Sequence, residues 1–309
     1  MEKKIKKNKA VVLFGPTAVG KTKLTEELFS TGYEIINADS IQVYKDLDIA
    51  SAKPDKELQN RIKHYLVDIR EPWEQYTSGD FVNDTNYLIN DINSRSLTPL
   101  ITGGTAYYFK MLCYGSALTP KSDSTIREKV SALLKDNGED WIREELKRVD
   151  SVSSSRINKN DIYRITRALE VYYQTGKPLS SFPLANTLRD DVDFILIGLK
   201  RDKKELEERI NKRVDIMFEN GAIEEMRTLL NRGANSSWPS MEAIGYKEWL
   251  ERINSGEYSI NLVKNDIKHN SIKYAKRQMT FFSSFAEAKW FHPEDMSGIK
   301  NYLESRLSL

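Results

Sequence analysis

Between an apolar run, Val11-Val12-Leu13-Phe14, and a segment of helical pattern beginning at Lys21, the chain reads Gly15-Pro16-Thr17-Ala18-Val19-Gly20-Lys21-Thr22. This is a full G-x-x-x-x-G-K-T match, and its setting between a buried strand and a helix gives it meaning. The glycines let backbone N–H groups close around phosphate oxygens, and the start of the following helix adds its dipole. Lys21 supplies a point charge and the Thr22 hydroxyl a ligand suited to Mg2+. A tight turn with an incidental lysine is the competing reading, and it leaves the flanking pattern unexplained. Binding of a phosphorylated ligand follows from the loop; the reaction does not.

The order of strand, glycine turn and helix then recurs. Tyr33 to Asp39 reads as a second strand, and Pro99-Leu100-Ile101-Thr102 leads through Gly103-Gly104 into a helical run from Thr105 to Tyr114. Such alternation predicts an α/β fold, a doubly wound parallel sheet carrying a P-loop. Ligands of these sheets lie beyond the carboxyl ends of the strands, where Gly15 to Thr22, Asp39 and Gly103 to Thr105 all fall. After about Leu118 the composition changes, and from Asp123 to Gln174 the chain is charged and helical in pattern, with Ser151 to Ser155 read as a break between helices. Phe194 to Leu199 reads as a strand returning to the sheet. The expected organisation is a sheet domain made of residues 1–117 and 191–309, interrupted by a helical insertion at residues 118–190. Within the second part, Leu206, Ile210, Val214 and Met217 recur at helical spacing, with Arg209 and Arg213 on the same helix and its end near Gly221.

A chain of 309 residues is long enough for two cored domains. Its 47 Lys and Arg nearly balance 45 Asp and Glu. A net charge of +2 argues against coating nucleic acid by bulk charge but permits local basic faces. The single cysteine, Cys113, excludes an internal disulfide and any multi-cysteine zinc site. No apolar stretch approaches the ~20 residues of a membrane span. The lysine-rich start meets Gly15-Pro16 too early for a signal peptide, so a cytoplasmic protein without a membrane partner is expected. Two stretches put positive charge beside aromatic groups, as RNA recognition requires: Arg156 to Arg167 with Tyr163, and Lys264 to Arg277 with Tyr274. In the second, Ile272, Ala275, Met279 and Phe282 share one helical face, while Lys273, Lys276 and Arg277 point elsewhere.

Asp39 stands just past the second predicted strand, at the edge of the phosphate crevice. A carboxylate there holds Mg2+, takes a proton from an acceptor nucleophile, or caps the segment beyond. Spacing leaves the three roles open.

GPTAVGKT, NADSIQVY, SAKPD, HYLVDI and ITGGTAYYFK follow one another in this order, with NDIYRITRALEV, IGYKE and AKRQ after them. Over nearly its whole length the chain resembles the tRNA dimethylallyltransferase (bacterial tRNA isopentenyltransferase) family, in its short form without a zinc finger. The resemblance implies an enzyme that moves a dimethylallyl group from dimethylallyl diphosphate to N6 of the adenosine immediately 3′ of the anticodon; a monomer is expected. Its cofactor would be Mg2+ at Thr22, and its partner the tRNA anticodon stem-loop. Site roles come with it. Asp39 would be the catalytic base, with Thr105 and Arg213 beside the reacting groups and Gly15 to Thr22 around the diphosphate. Asp39, Ser40, Ile41, Gln42, Thr105, Arg127, Tyr163, Arg164, Arg167, Gly245, Tyr246 and Lys247 would face the tRNA. One departure stands out: where many members read Gln-x-x-x-Arg in a tRNA-contacting helix, this chain has Tyr163 and keeps Arg167. Tyrosine stacks on a base or bonds through its hydroxyl, which preserves binding more readily than base-edge reading. Three other readings use the same loop: an adenylate isopentenyltransferase, a small-molecule P-loop kinase, and a nucleotide-controlled RNA-binding switch.

Overall fold

The computed structural model describes residues 7–115, 119–120, 123–182 and 187–307. Contacts divide the chain into two compact units, one made of Met1–Cys113 with Asp190–Leu309 and the other of Tyr114–Arg189. The expected boundary at residues 117–118 lies outside the described residues.

In the first unit, β1 (Asn8–Phe14), β2 (Tyr33–Asn37), β3 (His64–Tyr65), β4 (Thr98–Gly103), β5 (Val192–Leu199) and β6 (Lys289–Phe291) form one sheet in the order β3-β2-β4-β1-β5-β6. Every pairing is parallel. β1 lies inside the sheet, with Val11 opposite Leu100 on one side and Ile195 on the other. Val11 to Phe14 are fully buried, which is why they read as an unbroken apolar run rather than an alternating one. Helices α1 (Lys21–Leu28), α2 (Lys56–Arg61), α3 (Ser78–Ser94) and α4 (Ala106–Tyr114) join the first four strands in turn or follow them.

The second unit contains α5 (Ser124–Val149), α6 (Ser151–Arg156) and α7 (Ile162–Thr175). Gly138, at φ 82°, breaks α5 into two helical runs. Val130, Ile142 and Leu146 pack on Ile165, Ala168 and Leu169 to make the unit's own core. The serine-rich stretch expected to separate helices is itself α6. Asp150 nucleates it, accepting from Ser153 N at 2.9 Å and from the Ser153 hydroxyl at 2.6 Å.

The first unit resumes with β5 and then α8 (Lys203–Glu219), α9 (Ala222–Asn231), α10 (Lys247–Ser255) and α11 (Ile260–Phe282), with β6 and α12 (Met296–Leu307) at the end. Leu206, Ile210, Val214 and Met217 are the buried face of α8, as their spacing predicts. No described helix is long and apolar enough to cross a membrane.

The strand order positions the site. β1 leads outward to β2 across β4, whereas β4 leads back across β1 to β5. The connections therefore diverge between β1 and β4, and a crevice opens at their carboxyl ends. The loops after β2, β4 and β1 lie there side by side.

Candidate active site

The turn after β1 is tight enough to demand particular backbones. Ala18 has φ 61° and Gly20 φ 116°, and a Cβ on Gly15 would stand 2.8 Å from Leu199 O. The loop's carbonyls are held from outside. Lys21 Nζ donates to Gly15 O and Pro16 O, both at 2.9 Å. Arg209 Nε donates to Ala18 O and Arg201 Nε to Val19 O, both at 2.8 Å. Arg213, one turn further along α8, donates through Nη1 to Thr17 Oγ1. With its carbonyls tied to cations, the loop is ringed by positive charge.

Packing so many cations together has an electrostatic cost. Burial first, and the neighbouring charge of Arg213 second, pull the Lys21 ammonium from its ordinary value near 10.5 to about 7, against the opposing effect of Asp39. Burial likewise lowers Arg213, again with Asp39 acting the other way. An anion entering this cluster relieves both penalties.

Asp39 lies two residues beyond β2, at the strand's carboxyl end where the crevice was expected. Its Oδ1 accepts from Ile41 N at 2.9 Å, a local turn that fixes the carboxylate. Its Oδ2 faces the β4 turn, 3.4 Å from where a Cβ on Gly104 would be. Thr105 ties the two turns together. Its N–H donates to Ala38 O at 3.1 Å, and its hydroxyl accepts from Ser40 N at 2.8 Å and donates to Ser40 Oγ at 3.2 Å. Glycine is obligatory at 103, because a Cβ there would meet Ala38 O at 2.2 Å.

One cavity of about 840 Å³ joins these parts; Thr17, Lys21, Thr22 and Arg213 line it together with Asp39, Ser40, Ile41 and Gln42. It continues to Lys247, Tyr274, Arg277 and Gln278.

A model of the IPP transferase family matches residues 42–285. The chain is a member of the IPP transferase family. It is 45% identical over 291 residues to a tRNA dimethylallyltransferase of Borrelia turicatae (strain 91E135), covering 94% of this chain and 96% of that one. A crystal structure of a tRNA isopentenylpyrophosphate transferase from Staphylococcus epidermidis matches with a TM-score of 0.70 at 34% identity, over 97% of this chain and 100% of that one. A eukaryotic dimethylallyltransferase solved as crystallographic snapshots acting on tRNA matches with a TM-score of 0.77 at 28% identity, over 97% and 77% respectively.

This IPP transferase family member does not use every residue singled out above in the same way. Gln42 donates to Ser51 O at 3.2 Å and Ala52 O at 3.1 Å, which leaves its amide oxygen for a ligand. Lys247 lines the cavity. Tyr246 does not: it is 1% exposed and donates to Glu225 Oε1 at 2.8 Å. Gly245, at φ 103°, packs against Ala50. Both are packed into the framework of their unit. In the second unit, Tyr163 is 80% exposed and Arg164 is also on the surface. Arg127 is exposed too, 4.0 Å from the Glu170 carboxylate. Arg167 differs: its guanidinium bonds buried Glu170 at 3.0 Å and Pro120 O at 2.7 Å, so much of its charge serves its own unit.

Two cavity-shaping residues escaped the sequence reading. Glu225 on α9 accepts from three successive amides, Asp48 N at 2.7 Å, Ile49 N at 2.6 Å and Ala50 N at 3.1 Å, besides the Tyr246 hydroxyl. It thereby pins the loop whose residues Ala50, Ser51 and Ala52 line the cavity. Gln278 on α11, only 2% exposed, reaches both the phosphate loop and the β4 turn. Its signal was available: a polar amide in register with buried Ala275 and Phe282, on a stripe that should be apolar.

Proposed function

We propose that the chain transfers a dimethylallyl group from dimethylallyl diphosphate to N6 of the adenosine immediately 3′ of the anticodon in tRNA. The observation that carries this reading is the continuity of one cavity from Lys21 and Arg213, through Asp39, to Lys247 and Arg277. The diphosphate is held by the loop amides with Lys21 and Arg213. The adenine enters from the side of Gln42, Lys247 and Arg277, which requires the base to leave its stack.

Adenine N6 is a weak nucleophile because its lone pair is delocalised into the ring. As its bond to the allylic carbon forms, the carbon–oxygen bond to diphosphate breaks and the nitrogen becomes acidic. Asp39, with Oδ1 fixed by Ile41 N and Oδ2 free toward Gly104, accepts the proton. Lys21 and Arg213 take up the charge that develops on the departing diphosphate. The two substrates, filling the cavity together, would keep water from the allylic carbon.

Mg2+ fits the donor set. Among the described residues no group of three or more His, Cys, Asp or Glu side chains is placed to hold a metal. The Thr22 hydroxyl lines the cavity beside the phosphate loop, which suits an ion that takes one or two protein oxygens and completes its shell from phosphate and water. Bound there, Mg2+ would neutralise leaving-group charge.

Labelled dimethylallyl diphosphate or ATP, offered with unmodified tRNA, with AMP or with no acceptor, tests the reading. Label from the allyl group should appear in tRNA alone. Label in AMP, or phosphoryl transfer from ATP to a small acceptor, would overturn it.

A further inference from the structure

The last register pair between β1 and β4 is Phe14 with Gly103. Beyond it the two backbones separate into the phosphate loop and the Gly103-Gly104 turn, and no described backbone hydrogen bond joins Thr17 to Gly104. The Gln278 side chain occupies that gap. Its Oε1 accepts from Thr17 N at 2.9 Å, and its Nε2 donates to Gly104 O at 2.7 Å. A primary amide presents a carbonyl and an N–H as a peptide unit does, so Gln278 supplies one more rung to a ladder that has run out. Its orientation is settled by the partners, since a flipped amide would set donor against donor at Thr17 and acceptor against acceptor at Gly104. The Tyr274 hydroxyl, one turn earlier on α11, reinforces the rung by donating to Gly104 O at 3.3 Å.

The two ends of the rung belong to different halves of the chemistry. Thr17 carries Arg213 on its hydroxyl and sits in the loop that takes the diphosphate. Gly104 lies against Asp39 Oδ2; a Cβ there would be 2.9 Å from Gln278 Nε2 and 3.4 Å from that carboxylate oxygen. We infer that Gln278 is a positioning residue, which sets the separation between the leaving-group loop and the base Asp39 by bridging Thr17 N to Gly104 O. The inference rests on the transfer reaction proposed above. Displacement requires the nitrogen, the allylic carbon and the leaving oxygen to be aligned at near-contact distance, and an error of about 1 Å costs on the order of a hundredfold in rate. A second consequence comes from α11 itself. Lys273, Lys276 and Arg277 are exposed on the same turns that bear Tyr274 and Gln278, so a polyanion gripping those cations holds the rung in place as well.

The test compares wild type, Gln278→Met and Gln278→Glu in single-turnover transfer to tRNA, with donor and tRNA affinities measured separately. Gln278→Met keeps the shape and loses the rung, and its transfer rate should fall by about ten- to a hundredfold while both affinities stay within about threefold. Gln278→Glu distinguishes positioning from general damage. A protonated carboxylic acid again offers a carbonyl and a donor, whereas its anion faces Gly104 O with no proton. The rate of Gln278→Glu relative to wild type should therefore climb at least about tenfold between pH 8 and pH 5.5, while the Gln278→Met ratio stays flat. A flat ratio for Gln278→Glu, or a loss in Gln278→Met expressed wholly in donor or tRNA affinity, would overturn the inference and leave the proposed reaction standing. Should Gln278→Met not fold, the pH ratio of Gln278→Glu decides alone. A wild-type chain that transfers nothing to tRNA removes the proposed reaction, and this inference with it.

Discussion

Lys21 offers a measurement of the charge cluster that does not depend on turnover. With its ammonium pulled down to about 7 by burial and by Arg213, about nine-tenths of Lys21 is neutral in the free protein at pH 8. A bound diphosphate restores the positive form, so binding must take up a proton from solvent, close to 0.9 per site at that pH. The donor's own phosphate groups titrate near ~6 and are already ionised there, so they contribute little. The sign follows from linkage: a complex that holds more protons than the free protein weakens as pH rises, by up to about tenfold per unit above pH 8. The same depressed value has a mirror effect on folding. Between about 7 and 10.5 the unfolded chain holds the extra proton, so this group's contribution to stability rises with pH across that window. Titration calorimetry of the donor at pH 8, in buffers of contrasting ionisation enthalpy, reads the uptake directly. Lys21→Arg stays charged and should abolish it. Arg213→Gln removes the second-largest cause of the depression and should reduce it. An uptake below about 0.2 in wild type, or the same uptake in Lys21→Arg, would refute the account of a cation cluster awaiting its anion.

Four further outcomes are expected. Asp39→Asn keeps shape and hydrogen bonding but loses basicity, so transfer should slow by about two to four orders of magnitude with little change in affinity; near-normal turnover, or full rescue in a Mg2+ titration, would assign Asp39 to the metal instead. Neutralising Lys273 and Arg277 together should weaken tRNA binding and lower its salt dependence by roughly one counterion per lost phosphate contact. Arg167→Gln should mainly destabilise the second unit, by about 1–3 kcal/mol, because buried Glu170 loses a charged partner; unfolding midpoints and salt-dependent binding separate the two effects. In Glu225→Ala the amides of Asp48, Ile49 and Ala50 lose their acceptor, and their hydrogen exchange should accelerate about tenfold or more; unchanged protection would mean the loop is held by something else.

The phosphate loop and the parallel sheet were legible because their signals are local. Gly15 to Thr22 carries its own geometry, and β1, β4 and β5 are short runs buried on both faces that no surface strand would show. The neighbourhood of Asp39 and Thr105 followed from topology once the strands were read, whereas Arg213 was singled out only by the family resemblance. What stayed hidden depended on partners far along the chain. An arginine on a helix looks the same whether it faces solvent or, like Arg167, a buried glutamate. Glu225 reads as an ordinary helix carboxylate until the loop 177 residues earlier is folded onto it. β6 has only three residues and adds to an edge, too short for any periodicity to register. Ser151 to Ser155 misled because serine favours breaks in the abstract, whereas here Asp150 satisfies the first turn and the helix forms. Gln278 was named only as part of a motif, and its buried position on an apolar stripe was the clue left unused.

The place of β1 between β4 and β5 also says something about how the chain must be made. One side of β1 is covered once β4 ends at Gly103, but the other waits for Val192–Leu199, whose register sets Val11 against Ile195. The ribosome adds about 5–20 residues per second. The intervening 96 residues, from Gly103 to Leu199, therefore hold that edge open for roughly 5–20 s. During that interval β1, whose Ala10 to Phe14 are buried in the mature protein, is an open edge of the kind that pairs with other nascent chains. The helices of the second unit emerge and can form their own core meanwhile, so the insertion sets the length of the wait. A shorter insertion would close the sheet sooner, and slowing translation between residues 114 and 189 should raise the demand for chaperones more than an equal delay after β5.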